Sequence, residues 1–227
     1  YRYIVKMEID KTVFNAQTEQ PHLTPTPSDA PYVFQVYDDA PVHYGDIAYM
    51  GSDNDGDDGA MTINPDCADD PYSGSSCIRC EITTKGTDWG GWMFLNGYLP
   101  KGETKPRLNT GDQPNAGMDL TGATELRFYV RGDTGNETVE FFTLGFGYDG
   151  EEGFSIEQYP DSAGKRSLGF ITLSKEWEEY SIPLDYADLS FIQNGFGFVC
   201  SGNYSGDADN VFYLDDIQFV GSIASAE

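Results

Sequence analysis

The segment LRFYVR at residues 126–131 alternates apolar and polar side chains with a period of two. Leu126, Phe128 and Val130 share one face of an extended chain and the two arginines share the other, because successive side chains of a strand point to opposite faces. Such a strand buries one face and leaves the other in water, which is typical of antiparallel sheets. The segment therefore predicts a half-buried antiparallel strand.

Runs of the same character follow along most of the chain. They are rich in β-branched and aromatic residues, Gly, Asp, Asn and Pro separate them at short intervals, and no helical period occurs. The runs cover residues 32–37, 77–83, 91–94, 125–130, 139–146, 170–173, 179–182, 195–199 and 211–219. This pattern, without internal repeats, predicts an all-β fold, a two-sheet antiparallel jelly-roll sandwich.

The balance of charge excludes several classes of partner. The 227 residues include 38 acidic and 13 basic side chains, a formal net charge of −25. Such a chain repels nucleic-acid phosphates and anionic lipid surfaces, and it has no run of about 18 apolar residues for membrane insertion. Together with the four cysteines, this acidity predicts a secreted protein. An acidic cytoplasmic protein with unrelated thiols is the alternative.

The N-terminus carries an alternating segment that stands apart from the others. Its apolar side chains are Tyr1, Tyr3, Val5, Met7 and Ile9. The Pro- and Thr-rich stretch that follows favours an extended path and lacks donors for a full ladder of hydrogen bonds. We expect an extended N-terminal strand arm at 1–16, a linker at 17–31 and a jelly-roll body at 32–227. The arm would pair either with its own body or with another copy.

Short motifs recur in a characteristic order through the body. They are YMG (49–51), SG (73–74), CI (77–78), DWGGWMF (88–94), DLTGA (119–123), LRF (126–128), RG (131–132), EW (176–177), DLS (188–190), GFGF (195–198) and FYLDDI (212–217). This series resembles the jelly-roll domains of the carbohydrate-binding-module and galactose-binding-like group over about residues 47–221. The resemblance implies the fold more closely than the function, because the group includes both glycan-binding appendages of glycosidases and non-catalytic surface proteins.

An acidic loop at 53–59 predicts a metal site. Asp53, Asp55, Asp57 and Asp58 place carboxylates close together, and the glycines of the loop allow tight turns. Carboxylates so close repel one another unless a cation lies among them, and hard oxygen ligands suit Ca²⁺. Domains of the resembled group often carry a structural calcium near a terminal aspartate, which implies Asp216 as a further ligand. We predict a structural calcium ion; a solvated acidic loop is the alternative.

The four cysteines predict two disulfides in an oxidising compartment. Cys67 and Cys77 flank a loop rich in Asp, Pro, Ser and Gly that a bridge would close. Cys80 and Cys200 lie on apolar faces of two predicted strands and could meet across a core. Among three connectivities we favour Cys67–Cys77 with Cys80–Cys200. The C-x-x-C at 77–80 alternatively suggests zinc or redox chemistry, although no second such pair accompanies it.

Catalysis is not expected from this sequence. The two histidines, His22 and His43, lie in or beside the Pro-rich segment without a Ser or Cys nucleophile motif. No Gly-rich phosphate loop follows a strand and opens a helix. Acidic residues are so abundant that a pair of carboxylates, which could cleave glycosidic bonds, is uninformative. We therefore predict that the protein is not an enzyme.

Two functions fit the predicted fold. A self-assembling filament or surface-layer subunit would use the arm to complement a neighbouring body, in a head-to-tail contact that does not close. A carbohydrate-binding module would instead stack Trp89, Trp92 and Tyr98 on neutral sugar rings, unless Trp92 is a core residue. Trp177 suits a core position at the entry to a strand. We narrowly favour the filament, with copies of the chain as partners, because the resemblance leaves the arm unexplained.

Candidate glycosylation sites are separate from glycan binding. Asn136 and Asn203 begin N-x-[ST] sequons in turn-like surroundings. Thr24 and Thr26 lie between prolines, a setting that suits O-linked sugars. Sugars attached at these positions would mark the outer surface of an extracellular glycoprotein.

Overall fold

A computed structural model describes residues 32–41, 46–52, 61–83, 89–97, 109, 111–148, 158–201 and 209–221. The predicted arm and linker at 1–31, with the assembly strand, lie outside these residues, and so does the acidic loop at 53–59. The described residues form strands, turns and loops, without an α-helix among them. In these same ranges, no helix has the length and apolar character needed to cross a membrane.

The first sheet contains seven antiparallel strands. Their bounds are β1 Tyr32–Asp38, β2 Ala40–Pro41, β4 Met61–Cys67, β5 Cys77–Thr83, β7 Glu125–Gly132, β10 Glu178–Pro183 and β12 Asp209–Gly221. The main path runs in the order β10-β7-β12-β1-β2, and β5 pairs with both β12 and β4. The long β12 organises the sheet, because its first half pairs with β5 and its second half with β1, while β7 pairs along its other edge.

The second sheet contains five antiparallel strands. Their order is β3-β6-β11-β8-β9, with bounds β3 Asp46–Ser52, β6 Trp89–Leu95, β8 Thr138–Thr143, β9 Arg166–Thr172 and β11 Asn194–Ser201. Every pairing in this sheet is antiparallel. The prediction of an all-β, two-sheet antiparallel sandwich is confirmed.

The main core lies between the two sheets. Leu126, Phe128 and Val130 are at most 1% exposed, which confirms the predicted alternation of β7. The ring centroid of Phe128 lies 5.0 Å from that of Phe141 in β8 and 5.1 Å from that of Phe196 in β11. Phe128 lies in the first sheet, whereas Phe141 and Phe196 lie in the second. These tilted and edge-on aromatic contacts therefore join the layers.

The three central strands of the second sheet, β6, β11 and β8, are largely buried on both faces. Trp92 and Phe94 pack in the main core, and the residues that alternate with them on β6 belong to a separate cluster. This outer cluster consists of Met93, Leu95, Phe142 and Phe146, each at most 9% exposed. Gly197 of β11 leaves room for the ring of Phe142, since a Cβ there would lie 2.5 Å from the ring. Burial of both faces removes the period-two signal from the sequence of β6.

A buried carboxylate holds the loops at one end of the second sheet. Asp161 is 1% exposed, and its two oxygens accept the backbone N–H groups of Gln193 at 2.6 Å and Phe146 at 3.0 Å. Burial raises the pKa of Asp161 to about 7, against hydrogen bonds that lower it. Because this carboxyl group joins the β8–β9 connection to the segment before β11 and is enclosed, we assign it a structural role.

Candidate functional site

Three aromatic side chains meet on the outer surface of the first sheet. Tyr129 lies in the less buried, outward set of β7, Tyr72 lies in the loop between β4 and β5, and Trp177 directly precedes β10. The rings of Tyr72 and Tyr129 are parallel within 12°, with centroids 3.6 Å apart, and Trp177 meets Tyr72 edge-on at 6.1 Å. Tyr72 remains 43% exposed. We call these three side chains the aromatic face.

Arg131 supports the aromatic face from the sheet. Its guanidinium carbon lies 3.8 Å from the ring centroid of Tyr213 and 5.3 Å from that of Trp177. Its Nη2 donates to the carbonyl oxygen of Asp69 at 3.1 Å. A guanidinium over an aromatic ring is attracted by the ring quadrupole, more strongly where water is excluded, and Arg131 is only 8% exposed. Arg131 therefore ties Trp177 to β7 and β12.

Carboxylates border the aromatic face. The hydroxyl of Tyr129 donates to Glu179 at 2.5 Å, and this hydrogen bond is the main cause that raises the pKa of Tyr129. The indole N–H of Trp177 donates to the carbonyl oxygen of Asp70 at 3.1 Å. The side chains of Glu179 and Asp70 are 46% and 78% exposed, so their oxygens face solvent beside the rings. Such oxygens can accept hydrogen bonds from the hydroxyl groups of a ligand.

Asp215 fixes the backbone on which Tyr72 is carried. Its Oδ2 accepts the backbone N–H groups of Tyr72 at 2.9 Å and Ser73 at 3.2 Å. Its Oδ1 accepts the N–H of Asp216 at 2.8 Å. Burial raises the pKa of Asp215, which is fully enclosed. A buried carboxylate with three backbone donors thus joins the loop to β12.

Asp39 fixes the other end of the same loop. Its Oδ1 accepts the N–H groups of Ser75 at 2.7 Å and Ser76 at 2.9 Å, and these hydrogen bonds lower the pKa of Asp39. Gly74 must be a glycine at this point, because its φ is +59° and a Cβ would clash with the Asp39 carboxylate. The position of Tyr72 is therefore determined from both sides.

The two tryptophans predicted to stack on sugars lie in different surroundings. Trp92 is 4% exposed and packs in the main core, so it presents no ring face to a ligand. Trp89 is half-buried at the start of β6, opposite Ser201 of β11. Tyr98 lies outside the described residues. The stacking prediction for Trp92 is corrected by the alternation of β6, which directs that side chain between the sheets.

The calcium prediction stays untested by the described residues. Asp53, Asp55, Asp57 and Asp58 lie outside them. Asp216 is the predicted ligand that lies among the described residues. Its carboxylate accepts a hydrogen bond from the hydroxyl of Ser73 at 3.0 Å, and its φ is +45° at the bulge in β12. Within the described part of the chain, no group of three or more His, Cys, Asp or Glu side chains is arranged to hold a metal ion. A calcium ion therefore remains a prediction from the sequence of the 53–59 loop.

The four cysteines are buried and free in the structure, and the two expected bridges stay predictions. Cys67 and Cys77 nevertheless face each other in the register of β4 and β5. Cys80 and Cys200 both lie in the main core, one on each sheet. The C-x-x-C interpretation does not hold, because Cys77 packs with Tyr213 in an outer cluster whereas Cys80 points into the main core. Residues three apart on a strand point to opposite faces.

One of the predicted glycosylation sites can be placed. Asn136 is exposed in the turn between β7 and β8. The adjacent Glu137 is buried and accepts hydrogen bonds from Thr134, Gly135 and Asn136, which holds the turn. Asn203, Thr24 and Thr26 lie outside the described residues, as do His22 and His43. Glycosylation of Asn136 stays a prediction.

The residues of the aromatic face were not singled out by the sequence. Tyr72 appeared only as a member of the loop between two cysteines, and Trp177 appeared as a core residue. Trp177 does pack partly against the outer cluster of Cys67, Cys77 and Tyr213, yet it also contacts Tyr72 and Arg131. The available signal was Tyr129, which alternates with the inward residues of β7 and is therefore directed outward.

Comparison with known proteins gives similar folds and no family assignment. No family model matches the chain, and no curated protein matches it. The family 11 carbohydrate-binding module of the cellulosomal cellulase Lic26A-Cel5E of Clostridium thermocellum has 13% identity and a TM-score of 0.46, and the match covers 86% of this chain and 96% of that chain. A variant of the family 29 module CBM29-2 complexed with mannohexaose has 12% identity and a TM-score of 0.42, with coverages of 86% and 95%.

The similar structures are carbohydrate-binding modules. The match extends over most of this chain. At such low identities and TM-scores, the similarity identifies no ligand and no binding residue in this chain. What this protein does must be inferred from its own side chains.

Proposed function

We propose that this protein binds neutral glycans through the aromatic face and that it has no catalytic activity of its own. The observation that carries the proposal is the position of Tyr72, which is 43% exposed while its ring is stacked on Tyr129 outside the core. An aromatic ring in this position offers an apolar surface to water. The C–H faces of a sugar ring stack well on such a surface.

The charges around the aromatic face favour neutral ligands over acidic ones. Arg127 lies 2.5 Å from Glu125 and 3.8 Å from Glu179, and Arg131 lies 3.9 Å from Asp70, so the basic groups already face carboxylates. The whole chain carries a formal charge of −25. A long-range negative potential repels acidic polysaccharides and has little effect on uncharged ones. Carboxylate oxygens can meanwhile accept hydrogen bonds from sugar hydroxyls.

The loop that carries Tyr72 is ordered before a ligand binds. Asp215 and Asp39 hold its backbone at four N–H groups. The stack on Tyr129 and the contact with Trp177 fix the ring itself. A ligand that binds a fixed surface does not have to order the protein, which lowers the free-energy cost of association. This preorganisation supports a role in recognition, and we expect that role in the extracellular space.

A glycan array tests the proposed ligand class. The array carries neutral and acidic glycans and is probed with the wild-type protein, with Tyr72→Ala and with the control Tyr186→Ala. Tyr186 is fully exposed at the opposite end of β10 from Trp177, so its replacement removes a surface tyrosine away from the aromatic face. We expect the wild-type protein and the control to bind neutral glycans and Tyr72→Ala to lose this binding. Preference for acidic glycans, or equal binding by all three proteins, contradicts the proposal.

The filament hypothesis has no support from the described residues. Its assembly strand at 1–9 lies outside them. The hypothesis keeps a clear test, which is the size distribution of the intact protein beside that of a protein without residues 1–20. Polymers that disappear on truncation while the fold is retained would restore assembly as a function.

A further inference from the structure

We infer that Cys67 and Cys77 form a disulfide in the oxidised protein and that this bond fixes the loop that presents Tyr72. The inference rests on the proposed function only where it concerns ligand binding. The bond itself rests on the register of two strands. We call residues 67–77 the presenting loop.

The backbone places the two cysteines directly opposite each other. Cys67 is the last residue of β4 and Cys77 is the first residue of β5, and the two are direct partners in the antiparallel ladder. Directly opposite residues of such a ladder have Cα atoms about 4.5–5.5 Å apart. Disulfides bridge Cα atoms about 4.4–6.8 Å apart. The Sγ of Cys77 also lies 3.5 Å from the carbonyl oxygen of Cys67.

The surroundings of the pair connect it to the aromatic face. Cys67 and Cys77 form a buried cluster with Tyr213, and Trp177 packs against this cluster. The guanidinium of Arg131 lies over the rings of both Tyr213 and Trp177. A bond between the two sulfurs would therefore close the presenting loop directly beneath the aromatic side chains. In the thiol form, the loop is held by non-covalent contacts alone, such as its hydrogen bonds to Asp39 and Asp215.

Oxidation requires a disulfide oxidant of low molecular mass, such as oxidised glutathione. One cysteine thiolate attacks the oxidant and releases one small thiolate, which leaves a mixed disulfide. The second cysteine thiolate then attacks the protein sulfur of this mixed disulfide and releases the second small thiolate. One protein S–S bond forms, one oxidant S–S bond breaks, and the two protons of the cysteines end on the two small thiols.

The buried position of the pair determines when the bond forms. Burial is the main cause that raises the pKa of Cys77 to about 12, and the neighbouring Cys67 and Asp215 raise it further. The thiolate is the attacking species, so the folded thiol form reacts slowly at neutral pH. We therefore expect the bond to form during folding, before the loop closes over the sulfurs.

The test refolds the full chain from denaturant, once with a glutathione redox buffer and once with a reducing agent. Peptide mapping without reduction then identifies the linked cysteines, and amide hydrogen exchange is followed for residues 68–76. We expect a Cys67–Cys77 linked peptide and exchange of the loop slowed by about tenfold or more in the oxidised form. Separate alkylation of Cys67 and Cys77, linkage of either to another cysteine, or equal exchange in both forms overturns the inference.

A second set of measurements separates this inference from the proposed function. The variant with both Cys67→Ser and Cys77→Ser is compared with the oxidised wild-type protein for binding to a neutral glycan from the array. We expect the variant to bind about threefold more weakly or worse and its loop amides to exchange like those of the reduced protein. Equal affinity overturns the role of the bond in presentation. If neither protein binds any glycan, the proposed function fails. Peptide mapping and the exchange rates still show whether the Cys67–Cys77 bond forms and fixes the loop.

Discussion

The ring of Tyr72 lies parallel to the ring of Tyr129, with centroids 3.6 Å apart and planes inclined by 12°. One residue belongs to a loop and the other to the outward face of β7. The stack therefore connects a surface loop to the most regular strand of the sandwich. It leaves Tyr72 43% exposed, which a side chain acting only in stability does not require.

Asp215→Asn is expected to lower the free energy of unfolding by about 1–3 kcal/mol. The carboxylate accepts N–H groups on both oxygens, from Tyr72 and Ser73 on one and from Asp216 on the other. Whichever way the asparagine amide is oriented, its NH₂ group faces a backbone donor. Urea unfolding measures the loss, and the exposed Asp185→Asn serves as the control with an expected change below about 0.5 kcal/mol. Equal stability of both variants and the wild-type protein would show that Asp215 does not hold the loop.

The sequence predicts the sandwich well and the aromatic face poorly, for physical reasons. β7 was predicted because one of its faces is buried and the other is not, which produces alternation in the sequence. β4 was not predicted, since its segment MTINPDC contains a proline and an aspartate that suggest a turn. Trp92 was ambiguous because both faces of β6 are covered, so all of its side chains are apolar or glycine.

The aromatic face depends on contacts between segments far apart in the chain. Tyr72 reaches Tyr129 only because Asp215 and Asp39 fix the intervening loop. Trp177 reaches the same place because β10 pairs with β7 in a register that sets Glu179 opposite Tyr129. Neither register nor side-chain hydrogen bonds to a loop can be read from residue periodicity.

Gly145→Ala is expected to destabilise the protein more than Gly169→Ala by about 1–3 kcal/mol. Both glycines have positive φ, +80° and +69°, so both alanines carry the cost of the left-handed conformation. Only at Gly145 would the added Cβ also meet the backbone, 2.5 Å from the nitrogen of Lys165, whereas nothing lies within 4 Å at Gly169. Thermal unfolding of both variants measures the difference. Equal losses of stability in the two variants would contradict the close approach of Gly145 to Lys165.

The stability of the protein is expected to depend on pH through Asp161. Burial raises the pKa of this carboxyl group from 3.8 to about 7. Between these values the folded protein holds a proton that the unfolded chain has released, so the free energy of unfolding falls as the pH rises from about 4 to about 7. Asp161→Asn removes this contribution and should flatten the profile in urea unfolding experiments over that range.

Asp188→Asn provides the matched control for this pH profile. A hydrogen bond from Ser190 lowers the pKa of Asp188. The Asp188 carboxylate therefore stabilises the folded protein above about pH 4, and this stabilisation is lost only at lower pH. The profile between about pH 4 and pH 7 should therefore be the same as in the wild-type protein. A profile for Asp161→Asn that runs parallel to that of the wild-type protein between about pH 4 and pH 7 would refute the assignment to Asp161.

Calcium is expected to raise the melting temperature, and a chelator is expected to lower it. The prediction rests on the carboxylates of the 53–59 loop, so replacing Asp53, Asp55, Asp57 and Asp58 together by asparagine should abolish the response. Asp216→Asn should weaken the response, because Asp216 is the further ligand that the resemblance implies. Differential scanning calorimetry with calcium and with chelator measures each shift. A wild-type protein without a calcium-dependent shift would rule out the predicted ion.

Calorimetric titration of a neutral glycan into the wild-type protein, Tyr72→Ala and Tyr186→Ala tests glycan recognition at the aromatic face most directly. Loss of one stacking ring is expected to raise the dissociation constant of Tyr72→Ala by about tenfold or more. Tyr186→Ala is expected to bind like the wild-type protein. Circular dichroism confirms that both variants remain folded. Equal dissociation constants for all three proteins would contradict binding at Tyr72.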